Sequence, residues 1–183
     1  MTDLQVESTA VDGLVVLQVK AVGDERGVVR EVFRSSAFRS AGLTAGPWQQ
    51  LNMTTSSQGV IRGLHGESMT KLVSVPAGSA FGAYVDTRRA SATFGRVVTV
   101  DLVPGVAVLV PPGVCNGFQA TGEGITPYVY CFDREWEPGM AGVAVSAFDP
   151  DLAIKWPMAV DITDRSLVSA KDADLPRLVD LPA

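Results

Sequence analysis

The sequence has a single histidine, His65, among 183 residues. A metal centre built from several imidazoles is therefore excluded, and any imidazole chemistry falls to that one side chain. Cysteine is almost as scarce. Cys115 and Cys131 lack CxxC spacing, so they can build neither a disulfide framework nor a zinc site, and both read as buried strand residues. There is no basic run, and the formal charge is −5, which argues against nucleic acid as a partner. The longest apolar stretches, such as 106–112, are far too short to span a bilayer, so no membrane partner is expected. The first residues, MTDLQVESTA, are polar and acidic, unlike a secretory signal, which makes the cytoplasm the expected compartment.

What the chain does contain is short apolar runs separated by turn signals. Hydrophobic residues make up 46%, with 18 glycines and 11 prolines, the mixture of an ordinary globule rich in turns. Strands are expected at 14–20, 28–33, 48–54, 60–64, 71–75, 80–86, 97–102, 106–110, 117–120, 127–132 and 142–146. Several alternate with a period of two, as in Ala80-Phe81-Gly82-Ala83-Tyr84-Val85. Helical pattern is confined to 35–42, with serine at its start and Gly42 past its end, and to a stretch near 165–172. Nothing divides the chain, so residues 1–183 read as one all-β domain, a double-sheet jelly roll with short peripheral helices.

Polar groups concentrate beside an apolar strand between Asn52 and His65. Residues three apart on an extended strand face opposite sides. Arg62 and His65 therefore share a site only if Gly63 bends the chain, which glycine does at little cost. Without that bend His65 is a surface or hydrogen-bonded structural residue. Lys71 at the start of its strand reads as solvent-exposed, and Asp86 with Arg88 as a surface ion pair of little worth.

The same residues carry a resemblance. Asp24-Glu25-Arg26-Gly27, Gln50-Leu51-Asn52, Gly59-Val60-Ile61-Arg62-Gly63-Leu64-His65 and Lys71-Leu72-Val73 follow in order. Val85-Asp86-Thr87-Arg88, Ser91-Ala92-Thr93-Phe94-Gly95, Pro111-Pro112-Gly113, Asn116-Gly117-Phe118, the stretch from Asp149-Pro150 to Trp156-Pro157, and Ser169-Ala170-Lys171-Asp172 come after them. From about Gly13 to Pro176 the chain resembles the dTDP-4-dehydrorhamnose 3,5-epimerases. The resemblance implies a cupin-type double-stranded jelly roll without metal or cofactor, working as a homodimer with exchanged N-terminal strands. It implies a nucleotide-linked keto-sugar substrate, a dTDP-4-keto-6-deoxyhexose epimerised through an enolate. His65 and Asp172 take the place of the base pair, and Lys71 that of the cation stabilising the enolate oxygen. Arg62, and Arg26 from the neighbouring subunit, match the residues that hold the diphosphate. Glu31, Gln50 and Asn52 fall at nucleotide- or sugar-contacting positions.

The chain also departs from that pattern. The family places its acid tyrosine two residues before a proline, and in Trp136-Glu137-Pro138 that place is taken by tryptophan. An indole N–H donates a hydrogen bond but is not a usable acid. Tyr130 matches a different position, on a strand. Asn116 replaces a histidine, and Val29 replaces a phenylalanine near the nucleotide. Glu67 replaces a glutamine, in a loop after His65 that is shorter than in the family. Asn116 and Trp136 are counted as substrate contacts. The expected chemistry is then epimerisation or isomerisation restricted to one carbon, with water or a carboxylate such as Glu135 returning the proton. The alternatives are a recruited enzyme cyclising or isomerising a non-nucleotide intermediate, and an inactive ligand-binding cupin.

Overall fold

In a computed structural model, which describes residues 4–44 and 46–182, the described residues form thirteen strands. In chain order these are β1 (Gln5–Ser8), β2 (Val15–Gln18), β3 (Ala21–Asp24), β4 (Gly27–Arg30), β5 (Gln50–Ser57), β6 (Ile61–Glu67), β7 (Lys71–Ser74), β8 (Ala80–Asp86), β9 (Val97–Leu102), β10 (Val106–Val110), β11 (Val114–Ala120), β12 (Ile125–Phe132) and β13 (Gly142–Ala144). Two short helices, α1 (Ser35–Ser40) and α2 (Ala170–Ala173), and one 3-10 turn at Leu178–Asp180 complete the described elements. A six-stranded sheet runs β1-β2-β10-β7-β12-β5, and a five-stranded sheet runs β13-β6-β11-β8-β9. Every described pairing is antiparallel. The hairpin β3–β4 belongs to neither sheet.

Three layers of apolar packing hold this double-sheet jelly roll together. Val73, Val108 and Tyr128 of one sheet meet Tyr84, Leu102 and Phe118 of the other in the central core. The segment after β13 folds back over the five-stranded sheet, packing Leu152, Val168 and Trp156 on Ile61, Ala83 and Val85. Helix α1 and its flanks bring Phe38, Phe33 and Trp48 onto Leu17, Leu72 and Leu109 of the six-stranded sheet. Each sheet thus carries apolar packing on both faces, although Leu51 and Met53 on β5 stay exposed. That explains a difference from the sequence reading of β8, where Tyr84 points to the central core while Ala83 and Val85 point to the outer one. β1 and β3 were not anticipated, because all four residues of each are exposed and no apolar pattern marks them.

The Asp86–Arg88 pair is not a surface pair. The Asp86 side chain is wholly buried and accepts hydrogen bonds from Arg88 Nε at 2.8 Å, Ser91 Oγ at 2.6 Å and Thr93 Oγ1 at 2.6 Å. Burial alone would raise its pKa, but these donors outweigh burial and hold the carboxyl well below the usual carboxylate range. Asp86 thereby pins the connection from β8 to β9. Asp86→Ala leaves Arg88 and two hydroxyls without their acceptor, and is expected to cost about 3 kcal/mol, or roughly 6–12 °C in melting temperature. The depressed pKa means the contribution is complete above the unfolded value of about 3.9 and is lost as pH falls below it. Melting curves should show the full gap at neutral pH and a narrowing gap in acid.

Candidate active site

Strand β6 bends where glycine allows it. Asn116 on β11 pairs with His65 and Phe118 with Arg62, so three steps on β6 answer two on β11, and the register shifts between them. Gly63 sits in this bulge at φ +111°, and a Cβ there would stand 2.7 Å from Gly117 Cα and 2.8 Å from the Asn116 carbonyl oxygen. The bulge brings Arg62 and His65, which a regular strand would separate, to the wall of one cavity.

That cavity, about 220 Å³, lies between the two sheets. The five-stranded sheet supplies Arg62, His65, Glu67 and Asn116, the six-stranded sheet supplies Lys71 and Tyr130, and α2 supplies Asp172. His65 Nε2 lies 2.8 Å from Asp172 Oδ1. An ionised carboxylate only accepts, so Nε2 is the donor in this contact, and in the neutral imidazole that leaves the lone pair on Nδ1. Asp172 is itself fixed. Ser169 caps α2 by accepting the Asp172 N–H at 3.0 Å, and the Gly63 N–H donates to Asp172 Oδ2 at 3.3 Å. Burial raises the Asp172 pKa, but the hydrogen bond and charge of His65, with the Gly63 N–H, bring it below the usual value.

Lys71 differs from its sequence reading as a solvent lysine: its side chain is 5% exposed. Its Nζ donates to the His65 carbonyl oxygen at 3.1 Å and to Glu67 Oε2 at 2.5 Å. Arg62 Nε donates to Ser56 Oγ at 2.9 Å. Asn116 Nδ2 donates to the Tyr128 hydroxyl at 3.4 Å. Tyr130, half-buried, has its pKa raised by burial, partly offset by a hydrogen bond with Asn52 and the charge of Arg62.

Five residues singled out in the sequence therefore line the cavity: His65, Asp172, Lys71, Arg62 and Asn116. Two more, Gln50 and Asn52, stand beside it on β5, where Gln50 Nε2 donates to Asn52 Oδ1 at 3.1 Å and Asn52 is the register partner of Tyr130. Arg26, Glu31 and Trp136 do not line it. Arg26 sits at the tip of the β3–β4 hairpin and pairs with Asp24 at 2.5 Å, and Glu31 pairs with Arg34. Trp136 lies beyond the end of β12, its side chain outside the cavity and its backbone N–H held by Gln50 Oε1 at 2.6 Å. In the sequence Tyr130 matches a different, strand position, and it is not counted there as a site residue. Its signal was the alternation of Tyr128, Tyr130 and Phe132 along one strand face, all three of which line the cavity.

Comparison with known proteins bears on what this arrangement serves. A family model described as dTDP-4-dehydrorhamnose 3,5-epimerase matches residues 8–180. The chain belongs to this family. A dTDP-4-dehydrorhamnose 3,5-epimerase of Mycobacterium tuberculosis is 35% identical over 166 residues, covering 87% of this chain and 80% of that protein. The crystal structure of the 3,5-epimerase RmlC from Legionella pneumophila, in complex with dTDP-4-keto-L-rhamnose, aligns with a TM-score of 0.87 at 32% identity, covering 98% of this chain and 95% of that one. A double mutant of ChmJ, a 3'-monoepimerase from Streptomyces bikiniensis in complex with dTDP, aligns with a TM-score of 0.85 at 26% identity, covering 94% and 87%.

As a member of the dTDP-4-dehydrorhamnose 3,5-epimerase family the chain is an enzyme of carbohydrate-epimerase type on a cupin-like jelly roll. Of the departures from the family pattern noted in the sequence, Asn116 and Glu67 face the cavity, while Val29 is on the exposed hairpin. No helix among the described residues is long and apolar enough to cross a membrane.

Proposed function

We propose that the protein epimerises a dTDP-linked 4-keto-6-deoxyhexose through an enolate. The observation that carries this reading is one cavity with an oriented imidazole on one sheet and a phenol on the facing sheet, His65 against Tyr130, with the Lys71 ammonium in the same wall. His65 Nδ1 takes the proton from a carbon next to the C4 carbonyl, and the electron pair moves onto the carbonyl oxygen. Lys71 donates its remaining N–H to that oxygen, where a cation already fixed in place offsets the developing charge. Tyr130 returns a proton to the opposite face of the carbon, inverting it. The imidazolium then loses its proton, and the phenolate regains one, through solvent.

Tyr130 suits the donor role better than its neighbour Tyr128. Tyr128 is fully buried, stacked on Phe118 at 4.0 Å, and its hydroxyl is engaged by Asn116. With a phenol facing His65, neither water nor Glu135 is needed as proton donor. The restriction to one inverted carbon rested on Trp136 as the facing group, and it loses that support.

Among the described residues Arg62 is the one guanidinium of the cavity wall, too little by itself to hold a diphosphate. We assign the remainder to Arg26 of a second subunit. The β3–β4 hairpin that carries Arg26 is exposed at all eight positions and turns Val22, Val28 and Val29 outward. Such a hairpin is suited to a neighbouring subunit's sheet, as in a homodimer with exchanged N-terminal strands. Both cysteines are free thiols, in keeping with a cytoplasmic enzyme.

The test is incubation of the protein with dTDP-4-keto-6-deoxyglucose in D2O. Deuterium is expected at C3, C5 or both, together with an inverted product, and dTDP is expected to raise the melting temperature. Absence of exchange at both carbons would remove the epimerase reading. Absence of stabilisation by dTDP as well would favour a non-nucleotide substrate or a ligand-binding cupin.

A further inference from the structure

Glu67 is a charged side chain of the cavity wall to which the proposed reaction gives no task. It follows His65 by two positions on β6, so both side chains face the same way. Oε2 accepts from Lys71 Nζ, and among the described residues no hydrogen bond reaches Oε1. The ammonium of Lys71 has three N–H donors and no lone pair. The His65 carbonyl takes one, Glu67 takes the second, and the third is left for the ligand.

This arrangement makes the distinction between glutamate and glutamine unusually sharp. A carboxylate bound to Lys71 through one oxygen still presents an acceptor with the other. An amide in the same place has a single oxygen, which the donor-only ammonium claims, so its NH2 group would face the ligand. Glutamine, the residue expected here from the family resemblance, thus shows the ligand a donor, whereas Glu67 shows it an acceptor. The polarity of that contact is inverted in this chain.

We propose that Glu67 is a specificity-determining residue that admits a keto-sugar bearing an amino group at C3, in its ammonium form. The proposal rests on the reading that Lys71 meets the C4 oxygen, and it assigns Glu67, which is bound to Lys71, to a carbon beside the carbonyl. Of the two such carbons, C5 carries the ring oxygen, which has no hydrogen to donate, and the methyl group, and only C3 carries a substituent that can donate to a carboxylate. A hydroxyl at C3 both donates and accepts, and it fits glutamate or glutamine. An ammonium only donates; it is held by a carboxylate oxygen and opposed by an amide NH2.

The experiment compares dTDP-4-keto-6-deoxyglucose with its 3-amino-3-deoxy counterpart on the wild-type protein and on Glu67→Gln. Affinities are measured by calorimetry and deuterium uptake is followed in the same samples. The preference for the amino sugar over the hydroxy sugar should fall by about 10–100-fold in the variant. Both ligands are measured on one preparation, so loss of folded protein cancels in the ratio. Equal ratios in the two proteins would overturn the proposal, as would failure of both ligands to bind. A shifted ratio without deuterium uptake would leave Glu67 selecting the ligand and remove the epimerase reading, while uptake with equal ratios would do the reverse.

Discussion

Replacing His65 with alanine will lower deuterium uptake from D2O into the keto-sugar by about 10²–10⁴-fold, the share a positioned base contributes to proton transfer. Among the described residues of the wall, the two carboxylates that could also accept a proton are already engaged, Glu67 by Lys71 and Asp172 by the Gly63 N–H. His65 is the only imidazole in the chain, and of the other basic groups in the wall Lys71 is bound to Glu67 and the His65 carbonyl, while Arg62 does not give up its proton. The partner carboxylate strengthens the expectation. Asp172 is nearly buried, and its depressed pKa keeps it ionised at any pH at which the enzyme would be assayed. The contribution of the pair to stability is present above the ordinary carboxylate value and is lost only as pH falls through the depressed one. Activity should therefore show no acid limb from Asp172 between pH 5 and 8. Binding of dTDP, followed by calorimetry, should survive the substitution, since His65 is assigned to the carbon chemistry and Arg62 to the phosphates. Parental deuterium uptake by His65→Ala would remove His65 as the base.

How far such a site can be read from sequence depends on whether its parts are local or distant. Strands β8, β9 and β10 lie where the apolar runs put them, because a short run between turn residues carries its own boundaries. The bend at Gly63 was legible for the same reason: three consecutive positions posed the question, and glycine was the answer. Lys71 was not legible. Its burial follows from β7 lying between β10 and β12, a pairing over long separations that no local pattern encodes. Asp86 was misread likewise, since its acceptor role depends on Ser91 and Thr93 returning to it from the following loop. Trp136 illustrates a further limit. Its spacing from Pro138 matches a motif, yet β12 ends at Phe132 and leaves it on an exposed loop. The phenol that lines the cavity comes from within the strand, where period-two alternation decides which side chains point inward.

Tyr130→Phe should separate two events that the wild type couples. Formation of the inverted sugar is expected to fall by about 10²–10⁴-fold, while deuterium uptake without inversion continues. The reason is facial. His65 removes the proton from one side of the carbon, exchanges it with solvent, and can return deuterium to the same side without help. Inversion requires a donor on the other side, where the six-stranded sheet brings Tyr130 to the cavity. Phenylalanine keeps the ring contacts of Tyr130 with Tyr128 at 6.1 Å and Phe132 at 5.4 Å, so the rings stay in place while the hydroxyl is lost, with its proton and its hydrogen bond to Asn52. Trp136→Ala supplies the contrast, and it should leave both inversion and exchange close to parental, because that indole is outside the cavity. Chiral analysis of the product beside its deuterium content reads both events in one sample. Should Tyr130→Phe invert at the parental rate while Trp136→Ala does not, the acid belongs after the strand rather than on it, and the facing arrangement of His65 and Tyr130 has no part in the reaction.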